Sequence, residues 1–83
     1  MEATALEAAL QTFLADVLRV RVAPVARDLE LVGDGYLDSM DLVRLAAHLE
    51  ELLGLEIADD EISDENLGSI ARVLAYVEGR VEG

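Results

Sequence analysis

The stretch GYLDSMDLVRLAAHLEELLGLEI, residues 35–57, contains the strongest structural pattern in this 83-residue chain. It opens with turn-forming residues, and from Ser39 onward apolar residues recur at intervals of three and four, which is the spacing of one face of an α-helix. Gly54 follows the last turn, where glycine commonly ends a helix in a left-handed conformation. The stretch therefore predicts an amphipathic helix that begins at Ser39 and ends before Gly54. Its apolar stripe consists of Leu42, Leu45, Ala46, Leu49, Leu52 and Leu53.

A first helix is predicted near the start of the chain. Thr4 and Glu7 match the T-x-x-E pattern of a capping box, in which each side chain accepts a hydrogen bond from the backbone of the other residue. Apolar residues with helical spacing follow, and Pro24 prevents continuation, so the helix is expected to end near Val20. The residues RVRVA, 19–23, alternate between polar and apolar like a strand, but they are too few to predict a sheet.

A last helix is predicted to begin at Ser69, which suits an N-cap, and to fray near Gly79. The acidic segment before it, residues 56–66, is expected to hold one short helical turn. The sequence thus predicts an all-α fold, a small four-helix bundle of three main helices and one short helix. The predicted core consists of Leu10, Phe13, Val17, Leu42, Leu45, Leu49, Ile70, Val73 and Val77.

Composition excludes several classes of function. The chain has no cysteine, so disulfides and thiolate chemistry are absent, and the spacing of its acids does not match a calcium-binding loop, so no metal site is expected. A net charge of -12 argues against a nucleic-acid partner. No apolar run is long enough to span a membrane, and no signal peptide is recognised. We expect a cytoplasmic monomer.

The negative charge is concentrated in the middle of the chain. Residues 34–66 contain eleven acids and one base, Arg44, a net charge of -10. Residues 1–33 have a net charge of -2, from five acids and three arginines, and residues 67–83 are neutral. An acidic cluster in a small helical protein usually forms a solvated or partner-facing surface.

Ser39 has two possible roles at the predicted helix start. As an ordinary N-cap it would contribute about 1 kcal/mol to stability. Catalysis through a serine–histidine pair is not expected, because His48, the one histidine, would lie roughly 13 Å along the same helix and on its other side. A helix N-terminus is, however, a favourable place for an anion, so Ser39 could also bear a phosphate-linked group.

The stretch 35–57 resembles the attachment region of the acyl carrier protein and peptidyl carrier protein superfamily. Asp38, Ser39 and Met40 match its D-S-[LM] motif, and the tail ISDENLGSIARVLAYV resembles the end of stand-alone carriers. The resemblance extends from the first predicted helix to the last, and it implies a single carrier domain over residues 1–83.

The resemblance implies that a phosphopantetheinyl transferase attaches phosphopantetheine from coenzyme A to Ser39, with Asp38 and Asp41 helping the transferase and its metal ion to engage. The thiol of this arm would then carry cargo as a thioester between loading and synthase enzymes, and the carrier itself would catalyse nothing. The surface read by those enzymes is expected to comprise Met40, Asp41, Val43, Arg44, Ala47, Glu50 and Glu51.

Two residues depart from carriers of fatty-acid synthesis. Arg44 stands where such carriers usually have an acid, and Ala47 is smaller than the usual apolar residue. These departures favour an acyl carrier of secondary metabolism, in polyketide or hybrid assembly. The sequence leaves two alternatives open, an aminoacyl or peptidyl carrier, including the D-alanyl type, and an unmodified acidic adaptor with the same fold.

Overall fold

The structure, a computed structural model, describes the backbone of residues 2–82 and side chains as far as residue 80. Within this range the regular elements are all helical, which confirms the predicted fold class. Four α-helices are present, and a short 3-10 turn, Asp59–Glu61, precedes the third. The helices are α1 Ala3–Asp16, α2 Ser39–Leu53, α3 Asp64–Leu67 and α4 Ile70–Glu82.

Both predicted boundaries of α1 are wrong. The N-cap is Glu2, which makes no side-chain capping bond. The carboxylate of Glu7 instead binds the guanidinium of Arg27, with 2.6 Å between Oε1 and Nη2. At the other end the N–H groups of Val17 and Leu18 both donate to the carbonyl of Phe13, so α1 ends before the predicted Val20. A tertiary ion pair has therefore replaced the expected capping box.

The long connection after α1 runs back along that helix. The side-chain amide of Gln11 both donates to and accepts from the backbone of Val25, at 2.8 Å each way. Further on, the N–H of Leu31 donates to the carbonyl of Gly68 at 2.8 Å. These bonds tie the connection first to α1 and then to the end of α3, and they fix the point from which the chain enters α2.

The buried apolar residues form one continuous cluster, to which all four helices and the long connection contribute. The α2 stripe packs as predicted, with Leu52 and Leu53 partly buried at its end, and two other predicted core positions are more exposed than expected. Phe13 is only half-buried, and Val17 is 50% exposed because α1 ends one residue earlier. The core also contains Leu6, Leu14 and Leu18, which belong to the apolar spacing of the first predicted helix. Periodicity did not identify the core residues outside the long helices: Val20, Val25, Leu31, Leu37, Ile57 and Leu67.

The last helix begins as predicted and ends later. The buried hydroxyl of Ser69 accepts from the N–H of Arg72 at 3.1 Å, which confirms Ser69 as the N-cap. The helix continues past Gly79 to Glu82. Tyr76 donates to the carboxylate of Glu61 at 3.0 Å and accepts from Arg80 at 2.8 Å, which fastens α4 to the 3-10 turn.

Gly68 and Gly79 provide a matched pair for a test of packing. A Cβ on Gly68 would clash with the side chain and the carbonyl of Asp64, whereas a Cβ on Gly79 would meet open space. We expect Gly68→Ala to destabilise the fold by about 1–3 kcal/mol, as overpacking does. Gly79→Ala should stabilise by up to about 1 kcal/mol, because alanine is the better helix former. Urea unfolding of both variants measures the difference, and equal stabilities would contradict this packing.

Candidate functional site

The loop before α2 is held by its own backbone. The N–H groups of Tyr36 and Leu37 both donate to the carbonyl of Leu31, at 2.8 and 2.9 Å, and Gly35 has the positive φ of 84° that this turn requires. Leu31 and Leu37 are buried and anchor the loop to the core. The chain therefore presents Ser39 at a fixed position, as the exposed first residue of α2.

Asp38, not Ser39, caps α2. Its Oδ1 accepts from the N–H of Asp41 at 2.9 Å, and its own N–H donates to Asp41 Oδ2 at 3.1 Å. The D-x-x-D pattern is thus a reciprocal capping box, and the interpretation of Ser39 as the helix cap is wrong. Within residues 2–82 no hydrogen bond engages the Ser39 hydroxyl, which is left for other chemistry.

The cap makes α2 sensitive to acid. The backbone N–H of Asp41, with smaller effects from the Asp41 side chain, the Met40 backbone and Arg44, lowers the pKa of Asp38 below its ordinary value. A depressed carboxyl pKa stabilises the fold above the unfolded value of about 3.9 and loses that contribution as the pH falls through the folded value.

We expect Asp38→Asn to retain most of the stability near neutral pH, since asparagine is an equally good N-cap. This variant should lose the pH-dependent contribution that the Asp38 carboxyl makes to stability, because an amide does not titrate. Asp38→Ala should be less stable near neutral pH. Urea midpoints across an acid series measure this, with Asp34→Asn, an exposed residue outside the capping box, as the control. An Asp38→Asn profile identical to that of the unaltered protein would contradict the role of the cap.

The side chain of His48 packs against α1. Its ring stacks on Phe13 with 4.1 Å between ring centroids and 8° between planes, and its Nε2 is buried without a hydrogen-bond partner in the described part of the chain. The predicted partly exposed position on α2 is confirmed. The structure shows no hydrogen bond between this histidine and Ser39 within residues 2–82, so the pair does not form a nucleophile and base.

Of the residues expected to face partner enzymes, Asp41 is half-buried in the capping box, and all the others except Glu50 lie exposed on the outer surface of α2. Met40 and Val43 are 62% and 48% exposed, and Ala47 and Glu51 are exposed as well. Arg44 sits among them with a 62% exposed side chain and lies 3.8 Å from a carboxylate oxygen of Asp41. We name this surface the α2 face, composed of Met40, Val43, Arg44, Ala47 and Glu51.

Glu50 is the exception. It is half-buried, and its Oε2 accepts from the N–H of Ile57 at 2.8 Å, so it fastens the segment after α2 to the helix. Its contact with a partner enzyme stays a prediction, and the bond to Ile57 gives this side chain a role within the fold as well. Gly54 completes this end, because its left-handed φ of 68° turns the chain as predicted. Spacing alone could not identify this contact, since it forms only after the chain turns.

The sequence does contain a pattern that indicates Asp38 as the cap of α2. Asp is as good an N-cap as Ser, and Asp38 and Asp41 have the three-residue spacing of a capping box.

Of the residues that the structure describes, no three histidine, aspartate or glutamate side chains lie close enough together to hold a metal ion. None of the described helices has the length and apolar character needed to cross a membrane.

Comparison with known families matches most of the chain. Residues 8–77 match the family model described as phosphopantetheine attachment site. The acyl carrier protein of Helicobacter pylori strain G27 is 36% identical over 69 residues, which are 83% of this chain and 86% of that protein. The D-alanyl carrier protein of Abiotrophia defectiva is 37% identical over 54 residues, covering 65% of this chain and 68% of that protein.

One solved structure is similar to this chain in fold. A chain in the structure described as "Crystal structure of FAD-dependent dehydrogenase" superimposes with a TM-score of 0.66 and 26% sequence identity. The match covers 82% of this chain and 96% of that one. The helical arrangement described above therefore recurs over nearly the whole length of a solved chain.

Proposed function

Because the chain belongs to the phosphopantetheine attachment family, whose members carry phosphopantetheine covalently, we propose that Oγ of Ser39 is the attachment point. The observation that carries this proposal is the exposed, unbonded hydroxyl of Ser39 at the first residue of α2. In the transfer Oγ forms a bond to the phosphorus next to pantetheine and loses its proton to a base of the transferase. The pyrophosphate bond of coenzyme A breaks, and adenosine bisphosphate leaves.

The surroundings of Ser39 fit such a group. Its phosphate would lie at the N-terminus of a 15-residue helix, where the helix dipole favours an anion. Asp38 and Asp41 hold their carboxylates in the capping box, and the guanidinium of Arg44 is close to Asp41. The exposed site leaves the rest of the arm in solvent, free to reach the active sites of other enzymes.

The proposed function is to carry an acyl intermediate as a thioester on this arm, between a loading enzyme and the enzymes of secondary-metabolite assembly. Arg44 and Ala47 on the α2 face support a pathway other than fatty-acid synthesis. The alternative is an aminoacyl or peptidyl carrier, which the similarity to a D-alanyl carrier protein favours. In either case the protein is a substrate of its partner enzymes, is not itself an enzyme, and acts in the cytoplasm as a monomer.

Incubation with coenzyme A and a broad-specificity phosphopantetheinyl transferase tests the attachment. Intact-mass spectrometry should show the addition of one phosphopantetheinyl group per chain. An unchanged mass, with a control carrier modified in the same mixture, would contradict the proposal and support the unmodified adaptor.

The two kinds of cargo are separated by how they are loaded. The modified protein should accept an acyl group from an acyltransferase and acyl-coenzyme A, with a mass increase that hydroxylamine reverses because it cleaves thioesters. The aminoacyl alternative requires an adenylating ligase, an amino acid and ATP. If the protein is loaded only with the ligase, the amino acid and ATP, the aminoacyl alternative replaces the acyl proposal.

The acidic charge of residues 34–66 should contribute to docking, and Glu51 is the exposed acid of this region on the α2 face. We expect Glu51→Lys to raise the Michaelis constant of a transferase or loading enzyme for the carrier several-fold at low salt, and to weaken the salt dependence of the rate. Exposed charges mainly act on the encounter rate and are screened over about 8 Å at physiological ionic strength. Glu78→Lys on α4 is the matched control, because it makes the same charge change at another exposed site. Identical kinetics for the two variants would show that net charge alone matters.

A further inference from the structure

The first part of the connection after α1 has the opposite charge from the α2 region. Residues 17–27 contain three arginines and no acid, a net charge of +3, whereas residues 34–66 contain eleven acids and one base. The chain therefore has a short basic segment, bounded by Asp16 and Asp28, in addition to its long acidic one. The function proposed above uses the acidic region only, so the basic segment requires its own explanation.

Arg19 and Arg21 are the available charges of this segment. Both residues are exposed, and neither forms an ion pair within the part of the chain that the structure describes. This is notable in a protein with three acids for every base, 18 against 6. Each of the other four arginines forms an ion pair with at least one carboxylate; they are Arg27, Arg44, Arg72 and Arg80.

The backbone directs both arginines outward. Leu18 and Val20, which alternate with them, are buried, and the N–H of Val20 donates to the carbonyl of Leu14 at 2.8 Å. Arg19 has a φ of 61°, a left-handed conformation that is uncommon for residues other than glycine. The burial of its two neighbours holds this conformation, so the position of Arg19 is determined by the core.

Apolar side chains accompany the arginines. Val17 and Val22 are 50% and 38% exposed, and they are two of the five large apolar residues that the described surface exposes. Val17 also lines a groove between α1 and α2, beside Phe13, His48 and the carboxylate-bearing Asp16. Exposed apolar residues combined with arginine are typical of protein interfaces. We name Val17, Arg19, Arg21 and Val22 the arginine–valine surface.

We propose that the arginine–valine surface is a second docking site, which binds an acidic segment with apolar side chains on a partner protein. Two arginines on a protein of net charge -12 are too few to bind nucleic acid, whereas they complement a few carboxylates. The site is separate in sequence from the α2 face. A partner bound here would retain the carrier while the arm on Ser39 remains free to visit other enzymes.

Two synthetic peptides test the proposal on the unmodified protein, so that the result does not depend on the attachment to Ser39. One is a short amphipathic peptide of Glu and Leu, and the other has Lys in place of Glu. In nuclear magnetic resonance titrations of the isotope-labelled protein, the acidic peptide should shift amide signals of residues 17–22. The basic peptide should shift signals of residues 38–51.

The double variant Arg19→Gln/Arg21→Gln should bind the acidic peptide about fivefold more weakly, as expected for the loss of two exposed ion pairs. Ala8→Glu/Ala75→Glu, at two exposed positions, is the matched control, because both variants change the net charge from -12 to -14. The control should weaken binding less.

Three results would overturn the proposal. Equal weakening by the two double variants would show an effect of net charge only. Acidic-peptide shifts without a preference for residues 17–22 would show that no site exists there. Self-association that increases with protein concentration and is lost in Arg19→Gln/Arg21→Gln, without peptide binding, would make a second copy of this chain the occupant.

Discussion

Ser39→Ala will abolish phosphopantetheinylation and leave the fold intact. The substitution removes the hydroxyl that forms the new bond to phosphorus, so intact mass should remain unchanged after incubation with coenzyme A and transferase. Stability should change by no more than about 0.5 kcal/mol, because the side chain is exposed and the cap of α2 is Asp38. This differs from the sequence-based expectation of about 1 kcal/mol for the loss of a serine cap.

Ser63→Ala is the control for this experiment. The hydroxyl of Ser63 accepts from the N–H of Asn66 at 3.3 Å and caps the short α3, away from the proposed site. This variant should be modified at the same rate as the unaltered protein. A mass increase that persists in Ser39→Ala and disappears in Ser63→Ala would transfer the attachment to α3.

Leu49→Ala will lower the free energy of unfolding by about 2–5 kcal/mol, the range measured for the removal of a buried leucine side chain. Leu49 has no exposed surface and lies among the buried residues of the core cluster. The loss combines the transfer of apolar surface with the cavity left behind. Urea unfolding followed by circular dichroism measures the change.

Val43→Ala, on the exposed side of the same helix, is the comparison for Leu49→Ala. Its side chain is 48% exposed, so its truncation should cost no more than about 0.5 kcal/mol. Comparable losses for the two variants would show that α2 buries a different face. Modification of Ser39 should proceed in both variants under conditions where they remain folded.

Periodicity predicted α2 and its buried stripe because both depend on local spacing. The stripe of Leu42, Leu45 and Leu49 is buried as expected, and Gly54 ends the helix in the left-handed conformation expected of it. The N-cap of α4 at Ser69 is another local feature that the sequence predicted. Both features depend on residues within one turn of each other.

Some of the failures involve contacts between separate parts of the chain. The T-x-x-E pattern predicted a capping box for Glu7, but its carboxylate binds Arg27, twenty residues later, which no local pattern can indicate. Val17 continued the apolar spacing of α1, yet the helix ends at Asp16 and leaves it exposed. The hydrogen bond from the Ile57 N–H to Glu50, made where the chain returns after α2, was not predicted either.

A sequence motif located the candidate site, but the structure assigns the helix cap there to a different residue. The D-S-M motif identified Ser39, whereas the capping role belongs to Asp38, whose carboxylate completes a reciprocal pair with Asp41. The difference has a functional consequence. Since Ser39 does not stabilise the helix, its hydroxyl can be esterified without the loss of a capping bond.

Fragment-ion mass spectrometry of the modified protein tests the central claim most directly. After incubation with coenzyme A and transferase, the chain is digested and the added group is located by the masses of the fragments. We predict that the phosphopantetheinyl group is found on Ser39 alone. Its location on Ser63, Ser69 or another hydroxyl, or an unmodified chain in a mixture that modifies a control carrier, would contradict the claim that this protein carries its cargo from the first residue of α2.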